Sequence, residues 1–124
     1  MKTRTFDGTL VARALRELVQ ANRELHEKPL ATADPKVVRA QLVIELAAGI
    51  GRVAALVGEM NGGGRGQESV QSVAWELGGV VHDVCLLAAA FDIDLGRAAI
   101  ENFNTVNACS GASQRFESFA PDPK

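Results

Sequence analysis

Apolar residues recur at helical spacing along most of this chain. Near the N-terminus, Val11, Leu15, Leu18 and Leu25 are separated by four, three and seven residues, which is the pattern of an amphipathic helix. Charged residues occupy the remaining faces of this segment. We therefore expect a first helix over about residues 8–27, which ends before the next proline.

A second helix is predicted to begin at Pro35, because Asp34 can cap it and a proline fits the first turn. It extends to about Gly58. Between residues 42 and 58 its only charged side chains are Glu45 and Arg52. A helix that is apolar nearly all round is covered on several sides, by its own chain or by a second subunit. This pattern is the main sign that the chain forms a homo-oligomer.

The segment 61–66 is rich in glycine and lacks the Gly-Lys-Ser/Thr ending of a phosphate-binding loop, so we interpret it as a mobile linker. A third helix is expected over about residues 68–90. Asp94 can cap a fourth helix over about residues 95–106. No strand-type alternation is visible. The pattern predicts an all-α, four-helix bundle-like domain over residues 1–108, followed by a flexible C-terminal tail over residues 109–124.

The composition supports one packed domain and excludes several function classes. The chain has 124 residues, of which 47% are hydrophobic, and 13 basic and 15 acidic side chains give a net charge of −2. This balance disfavours nucleic-acid binding. The longest uncharged apolar run, 84–91, is far shorter than the roughly 20 residues that span a bilayer. Cys85 lies in an apolar helix and is expected to be a reduced core residue. A cytoplasmic protein without a membrane partner is predicted.

Two pairs of charged residues occur at a spacing of seven, which returns a helix to nearly the same face. Glu45 and Arg52 share one face of the second helix, and Glu76 and Asp83 share one face of the third. If these helices pack antiparallel, Glu45 lies near Asp83 and Arg52 lies near Glu76. The three carboxylates could then hold Mg²⁺ or Mn²⁺. Spacing alone favours the alternative, an Arg52–Glu76 ion pair with the other two acids solvated.

Four glycines lie inside the second and third helices, where each costs about 1 kcal/mol relative to alanine. Close helix–helix approach is the expected compensation at Gly51 and Gly78. For Gly49 and Gly79, close packing and a cavity for a flat ligand are both compatible with the sequence.

A few other side chains are candidates for binding a nucleotide. Trp75 is the only tryptophan and is typical of a core or an interface, although it could also stack on a base. Asn102 and Asn104 on the fourth helix could contact a sugar or a phosphate, and solvation is the simpler interpretation. His26 is expected at the surface, and neither His26 nor His82 is expected to be catalytic.

The order of elements and the run over residues 75–103 resemble the MazG-like all-α nucleoside triphosphate pyrophosphohydrolases. Positions 39–46 match the first motif helix of that family, and positions 76–79 match the second. The turn at 92–95 and the helix that holds residues 101–104 are also similar. The sequence departs from the family pattern at four positions. Family members have acids where this chain has Leu46 and Gly49 (or Ala48), and an aspartate where it has Gly79. They have a lysine where this chain has Asn102.

This resemblance implies a MazG-type helical fold, usually dimeric or tetrameric, and Mg²⁺-dependent cleavage of nucleoside triphosphates to a monophosphate and pyrophosphate. Glu45 and Glu76 would be the retained metal ligands, and Asp83 would replace the acid that is missing at Gly79. Arg52, Trp75, Asn102 and Asn104 would contact the nucleotide. The alternative is a helical, oligomeric binding or scaffold module without catalytic activity. Such a module could still bind a nucleotide.

Overall fold

The fold is all-α, as predicted, and has four helices in the part of the chain that the structure describes. The structure is a computed structural model that describes residues 4–31, 34–63 and 66–117. Its elements, in chain order, are β1 (Thr5–Phe6), α1 (Gly8–Ala31), α2 (Pro35–Asn61), α3 (Gly66–Ala90), α4 (Leu95–Cys109) and β2 (Arg115–Phe116).

Helix starts follow the predicted capping residues. Asp34 caps α2 and its side chain accepts a hydrogen bond from the backbone N–H of Lys36 at 3.0 Å. Asp94 caps α4 and accepts from the backbone N–H of Arg97 at 3.1 Å. Both carboxylates satisfy backbone donors that the first turn leaves unpaired.

Helix ends were less predictable. The prediction that α1 ends before Pro29 is wrong, because α1 continues to Ala31. A proline in the last turn removes only one backbone hydrogen bond, so the helix tolerates it there. The helices α2 and α4 each run three residues further than expected, to Asn61 and Cys109, and α3 starts two residues earlier, at Gly66. Residues 64 and 65 of the predicted linker lie outside the described residues.

The connection between α3 and α4 is a Schellman turn. Asp92 adopts a left-handed conformation with φ of 56°. Its backbone N–H donates to the carbonyl of Ala89, and the N–H of Ile93 donates to the carbonyl of Ala88. An aspartate takes the position where glycine is usual, because its short polar side chain tolerates this conformation. The tight turn predicted between the third and fourth helices is confirmed.

The core lies where α1 meets the C-terminal half of α3 and the start of α4. Cys85 is completely buried beside Val19 and Ala88, which confirms that it is a core residue. Burial raises the pKa of its thiol, so the thiol stays protonated. On α4, Ile100 is 3% exposed.

The helices α1 and α4 approach each other closely at Gly96. A Cβ placed on Gly96 would lie 2.7 Å from both the Cα and the carbonyl oxygen of Ala12. Only glycine fits at such a crossing. The predicted inner stripe of α1 is partly wrong, because Leu18 and Leu25 are exposed and Ala12 and Val19 are buried instead.

Two short strands close the open end of α4. The strands β1 and β2 pair in parallel, with Thr5 opposite Arg115 and Phe6 opposite Phe116. The Phe116 ring lies 5.2 Å from the Phe6 ring and 5.1 Å from the Phe103 ring, centroid to centroid. The sequence analysis predicted no strand, and two-residue strands are too short to show alternation. This part of the expected tail therefore contacts the domain, and residues 118–124 lie outside the described residues.

The helices α2 and α3 form an antiparallel hairpin that is poorly covered by the rest of the chain. In α2 only Leu42 and Gly49 are buried, and over residues 69–84 of α3 no residue is buried. Both helices, over Pro35–Asn61 and Ser69–Ala90, are long and apolar enough to cross a membrane by length and composition alone. The search for uncharged runs missed this, because isolated charges interrupt each helix. The observation is weak evidence, and the localisation stays a prediction.

Candidate functional site between α2 and α3

Gly49 sets the distance between the two helices at the centre of the candidate site. A Cβ at Gly49 would lie 3.3 Å from Cγ2 of Val80, 3.6 Å from Nη2 of Arg52 and 3.9 Å from Oδ2 of Asp83. The first of these distances is tight for a carbon–carbon contact. Of the two interpretations open for Gly49, the structure supports close packing, because Val80 fills the space that a larger residue would need.

Arg52 and Glu76 form an ion pair across this contact. The Nε of Arg52 donates a hydrogen bond to Oε2 of Glu76 at 2.8 Å. This hydrogen bond is the main reason that the pKa of Arg52 is raised, and the nearby carboxylate of Asp83 adds to it. The Arg52 side chain is 57% exposed and that of Glu76 is 22% exposed. The predicted proximity of Arg52 and Glu76 is confirmed.

The other two acids of the predicted metal set occupy different surroundings. Asp83 is half-buried on the same side of α3 as Glu76 and acts on Arg52 electrostatically. Glu45 is exposed on α2. Within residues 4–31, 34–63 and 66–117, no three His, Cys, Asp or Glu side chains come together as a possible ligand set. The Arg52 guanidinium already binds the Glu76 carboxylate, and this positive charge opposes the binding of a divalent cation there.

Of the predicted nucleotide contacts, Arg52 lies among the acids, whereas Trp75, Asn102 and Asn104 have no described contact with them. Trp75 is 82% exposed, so its interpretation as a core residue is wrong, and an interface or a stacking role stays open. Asn102 is exposed on α4. The amide of Asn104 donates to the carbonyl of Phe116 at 3.1 Å and accepts from its N–H at 2.8 Å. Asn104 therefore uses both its donor and its acceptor to hold β2.

Three other helix glycines have no contact that explains them. A Cβ at Gly51, Gly78 or Gly79 would meet nothing within 4 Å. The prediction of close packing at Gly51 and Gly78 is wrong within a single chain, because these positions lie on helix faces that point away from the rest of the domain. For Gly79 the structure likewise provides no packing partner among the described residues.

The sequence analysis missed a group of arginines around the α3–α4 turn. Arg16 donates to Asp94 through Nε at 3.0 Å and Nη2 at 2.8 Å, and this contact lowers the pKa of Asp94. Arg23 donates to the carbonyl of Ala89 at 3.1 Å and to Asp92 at 3.0 Å. These cations neutralise the C-terminus of α3, whose last turn contains no basic residue. The seven-residue spacing of Arg16 and Arg23 was the available signal.

Arg39 on α2 reaches the same turn from the other side. Its guanidinium lies 4.5 Å from the centroid of the Phe91 ring, and its Nη2 donates to the carbonyl of Ala90 at 3.4 Å. Together with Arg16 and Arg23, it joins the end of α3 to both neighbouring helices. These contacts are structural, because the acceptors described here belong to the end of α3 and to the turn that follows it.

His26 is half-buried, so the prediction that it lies at the surface is wrong. Its ring lies 5.1 Å from the ring of His82, edge to face, between α1 and α3. His82 consequently points towards α1, whereas Asp83 points towards α2. His82 and Asp83 are adjacent in the sequence but point to different helices, so they do not form an acid–base couple.

Comparison with known proteins gives no relative from which a role could be transferred. No family model matches the chain, and no curated protein or solved structure matches it significantly. The resemblance to MazG-like pyrophosphohydrolases therefore stays a prediction from the sequence.

Proposed function

We propose that this chain is a helical module that acts as an oligomer, binding or positioning a partner without hydrolysing a nucleotide. The observation that carries the proposal is the Arg52–Glu76 ion pair between α2 and α3. A hard divalent cation needs several free carboxylate oxygens, and its affinity falls as positive charge is placed beside them. Here Arg52 supplies that charge to Glu76 directly and to Asp83 at longer range.

The exposure of the α2–α3 hairpin supports the oligomeric part of the proposal. Contiguous apolar patches on soluble monomers rarely exceed a few hundred Å², and larger ones mark interaction sites. Along both helices of this hairpin, valine, isoleucine, leucine and tryptophan side chains are 40–82% exposed. None of the described residues covers the exposed parts of these side chains, and a partner molecule on the hairpin would remove apolar area from water.

The MazG-like pyrophosphohydrolase is the second proposal. It is supported by the placement of Glu76 and Asp83 on one side of α3, facing α2, as a bundle metal site requires. In this version Glu45, Glu76 and Asp83 would hold Mg²⁺ or Mn²⁺, and Arg52 would contact the nucleotide phosphates. The cation would supply activation of water and charge neutralisation at the phosphates.

Two measurements on the purified chain test the first proposal. Light scattering at micromolar concentration is expected to give the mass of a dimer or tetramer. Pyrophosphate release from a panel of nucleoside triphosphates with Mg²⁺ or Mn²⁺ is expected to equal that of the Glu76→Ala variant. A monomer would refute the oligomer.

Release that is lost in Glu76→Ala and kept in Glu59→Ala would establish the hydrolase instead. Glu59 is a suitable control because it is an exposed acid of the same hairpin, near the end of α2. Loss of activity in both variants would point to a general effect of charge rather than to the site at Glu76.

A further inference from the structure

The α2–α3 hairpin is divided into an apolar side and a polar side by a seven-residue repeat. Residues 42, 49 and 56 of α2 face α3 or are half-buried beside it. On an ideal helix, the residue directly after each of these three points 100° to one side of it. The residue three positions after each of them points 60° to the other side. The first set is Val43, Ile50 and Val57, and the second set is Glu45, Arg52 and Glu59.

The same division applies to α3. Val80 faces Gly49 of α2. Glu76 and Asp83 are rotated from Val80 towards the side of Arg52, and the observed ion pair fixes this sense. Leu77 and Val81 are rotated the opposite way. Because the helices are antiparallel, these two side chains lie on the same side of the hairpin as the apolar set of α2.

One face of the hairpin therefore carries aliphatic side chains from both helices. We call it the apolar face, and all its members are 40–53% exposed. They are Val43, Ile50, Val57, Val70, Leu77 and Val81. The opposite side, with Glu45, Arg52, Glu59, Glu76 and Asp83, is the polar edge. A two-helix unit with one apolar side is half of a four-helix bundle.

We propose that a second copy of this chain covers the apolar face, so that two hairpins form a four-helix bundle across a two-fold axis. This inference rests on the proposed oligomer and identifies its interface. A self-complementary aliphatic surface suits an isologous contact, in which the same residues are used twice. Six half-exposed aliphatic side chains per copy offer on the order of 1,000 Å² for two copies, the size at which specific interfaces begin.

The polar edge argues against a lipid occupant. A helix pair inside a bilayer is surrounded by hydrocarbon, and a charged side chain at the centre of a membrane helix is costly. Glu45 and Arg52 lie in the middle of α2, and Glu45 is exposed. In the proposed dimer both stay in water at the outer side of the bundle.

Matched isoleucine variants on α2 test the proposal. Ile50 lies on the apolar face and is 53% exposed, whereas Ile44 points about 120° away and is 68% exposed. Ile50→Asp is expected to raise the Kd of the dimer about 100-fold or more, because two-fold symmetry buries two unpaired carboxylates. Ile44→Asp is expected to change it by less than about three-fold, since the side chain stays in solvent.

A second pair on α3 repeats the comparison, with Leu77→Asp as the interface variant and Gln71→Asp as the control, because Gln71 is exposed and points about 120° away from Leu77. Sedimentation equilibrium gives the Kd, and circular dichroism verifies that each variant keeps its helices. A dimer that survives Ile50→Asp and Leu77→Asp would overturn this interface and leave the proposed oligomer standing. A wild-type monomer would overturn both. Flotation of the wild type with phosphatidylcholine vesicles, abolished by Ile50→Asp, would assign the face to lipid and refute the dimer.

Discussion

The two halves of α3 both carry aliphatic side chains, but they differ in polar content and in what covers them. The C-terminal half meets α1, and there Cys85, Leu86 and Ala88 are each less than 5% exposed. The N-terminal half meets only one side of α2, and there Leu77 is 49% exposed and Trp75 is 82% exposed. The difference teaches that apolar composition alone does not define the core. Burial depends on which elements the chain has available to cover each face.

The covered half also has a different chemistry at its boundary. Arginines from α1 and α2 donate to the last carbonyls of α3 and to the turn that follows. In the uncovered half, the described residues include the Arg52–Glu76 ion pair beside an apolar surface. We therefore regard the covered end as the part that stabilises the monomer, and the α2–α3 hairpin as the part that is available for assembly.

Truncation of one isoleucine in each region should give the largest difference. Ile100→Ala removes a buried side chain of α4 and is expected to lower the free energy of unfolding by about 3 kcal/mol. Ile44→Ala alters a side chain that is 68% exposed, with an expected change within about 0.5 kcal/mol. Urea denaturation, followed by circular dichroism at sub-micromolar concentration, measures both. Equal losses would contradict the division into covered and uncovered regions.

Glycine-to-alanine substitutions should each give a smaller effect, and the two effects should have opposite signs. At Gly96 the added Cβ would collide with the backbone of Ala12, so we expect a loss of about 2 kcal/mol. At Gly51 the space is open, and alanine is the better helix former by about 1 kcal/mol, so we expect a gain. Thermal unfolding of dilute protein compares the two variants. If Gly51→Ala destabilised the chain instead, Gly51 would be a close contact in the assembly.

The fold was largely predictable because its signals are local. Asp34 and Asp94 cap helices with their own side chains, and each cap needs only the next three residues. The Arg52–Glu76 contact was predictable because a seven-residue spacing on both helices leaves few registers for antiparallel packing. The seven-residue spacing did not reveal that Gly49, and not Gly51 or Gly78, packs against the neighbouring helix. In a helix that is apolar nearly all round, the sequence does not reveal which face meets the neighbour.

The inner face of α1 was misjudged for a related reason. Leu18 and Leu25 are more apolar than Arg16 and Arg23, yet the arginines lie towards α3 and α4. Their aliphatic stems cover the core while the guanidinium groups reach the acceptors of the α3–α4 turn. Those acceptors belong to residues more than 60 positions away, so no local pattern indicates them.

Removal of the Arg16–Asp94 ion pair at the covered end should have the smallest effect on the free energy of unfolding. This effect should depend on pH. Arg16 lowers the pKa of Asp94, so the folded state binds this proton less tightly than the unfolded chain does. The stabilisation is present above the unfolded pKa of about 4 and is lost as the pH falls through the lower folded value. Asp94→Asn keeps a capping side chain and removes the charge, with an expected cost of about 1 kcal/mol at pH 6.

Urea denaturation between pH 2 and pH 6 would measure this dependence, and the wild type and Asp94→Asn should converge at the acidic end. Asp34→Asn is the matched control, because Asp34 caps α2 in the same way and its described hydrogen bond is to a backbone N–H alone. The difference in unfolding free energy between the wild type and Asp94→Asn could instead stay constant down to the lowest pH. That result would mean that the cap, and not the charge of the Arg16 contact, stabilises the covered end.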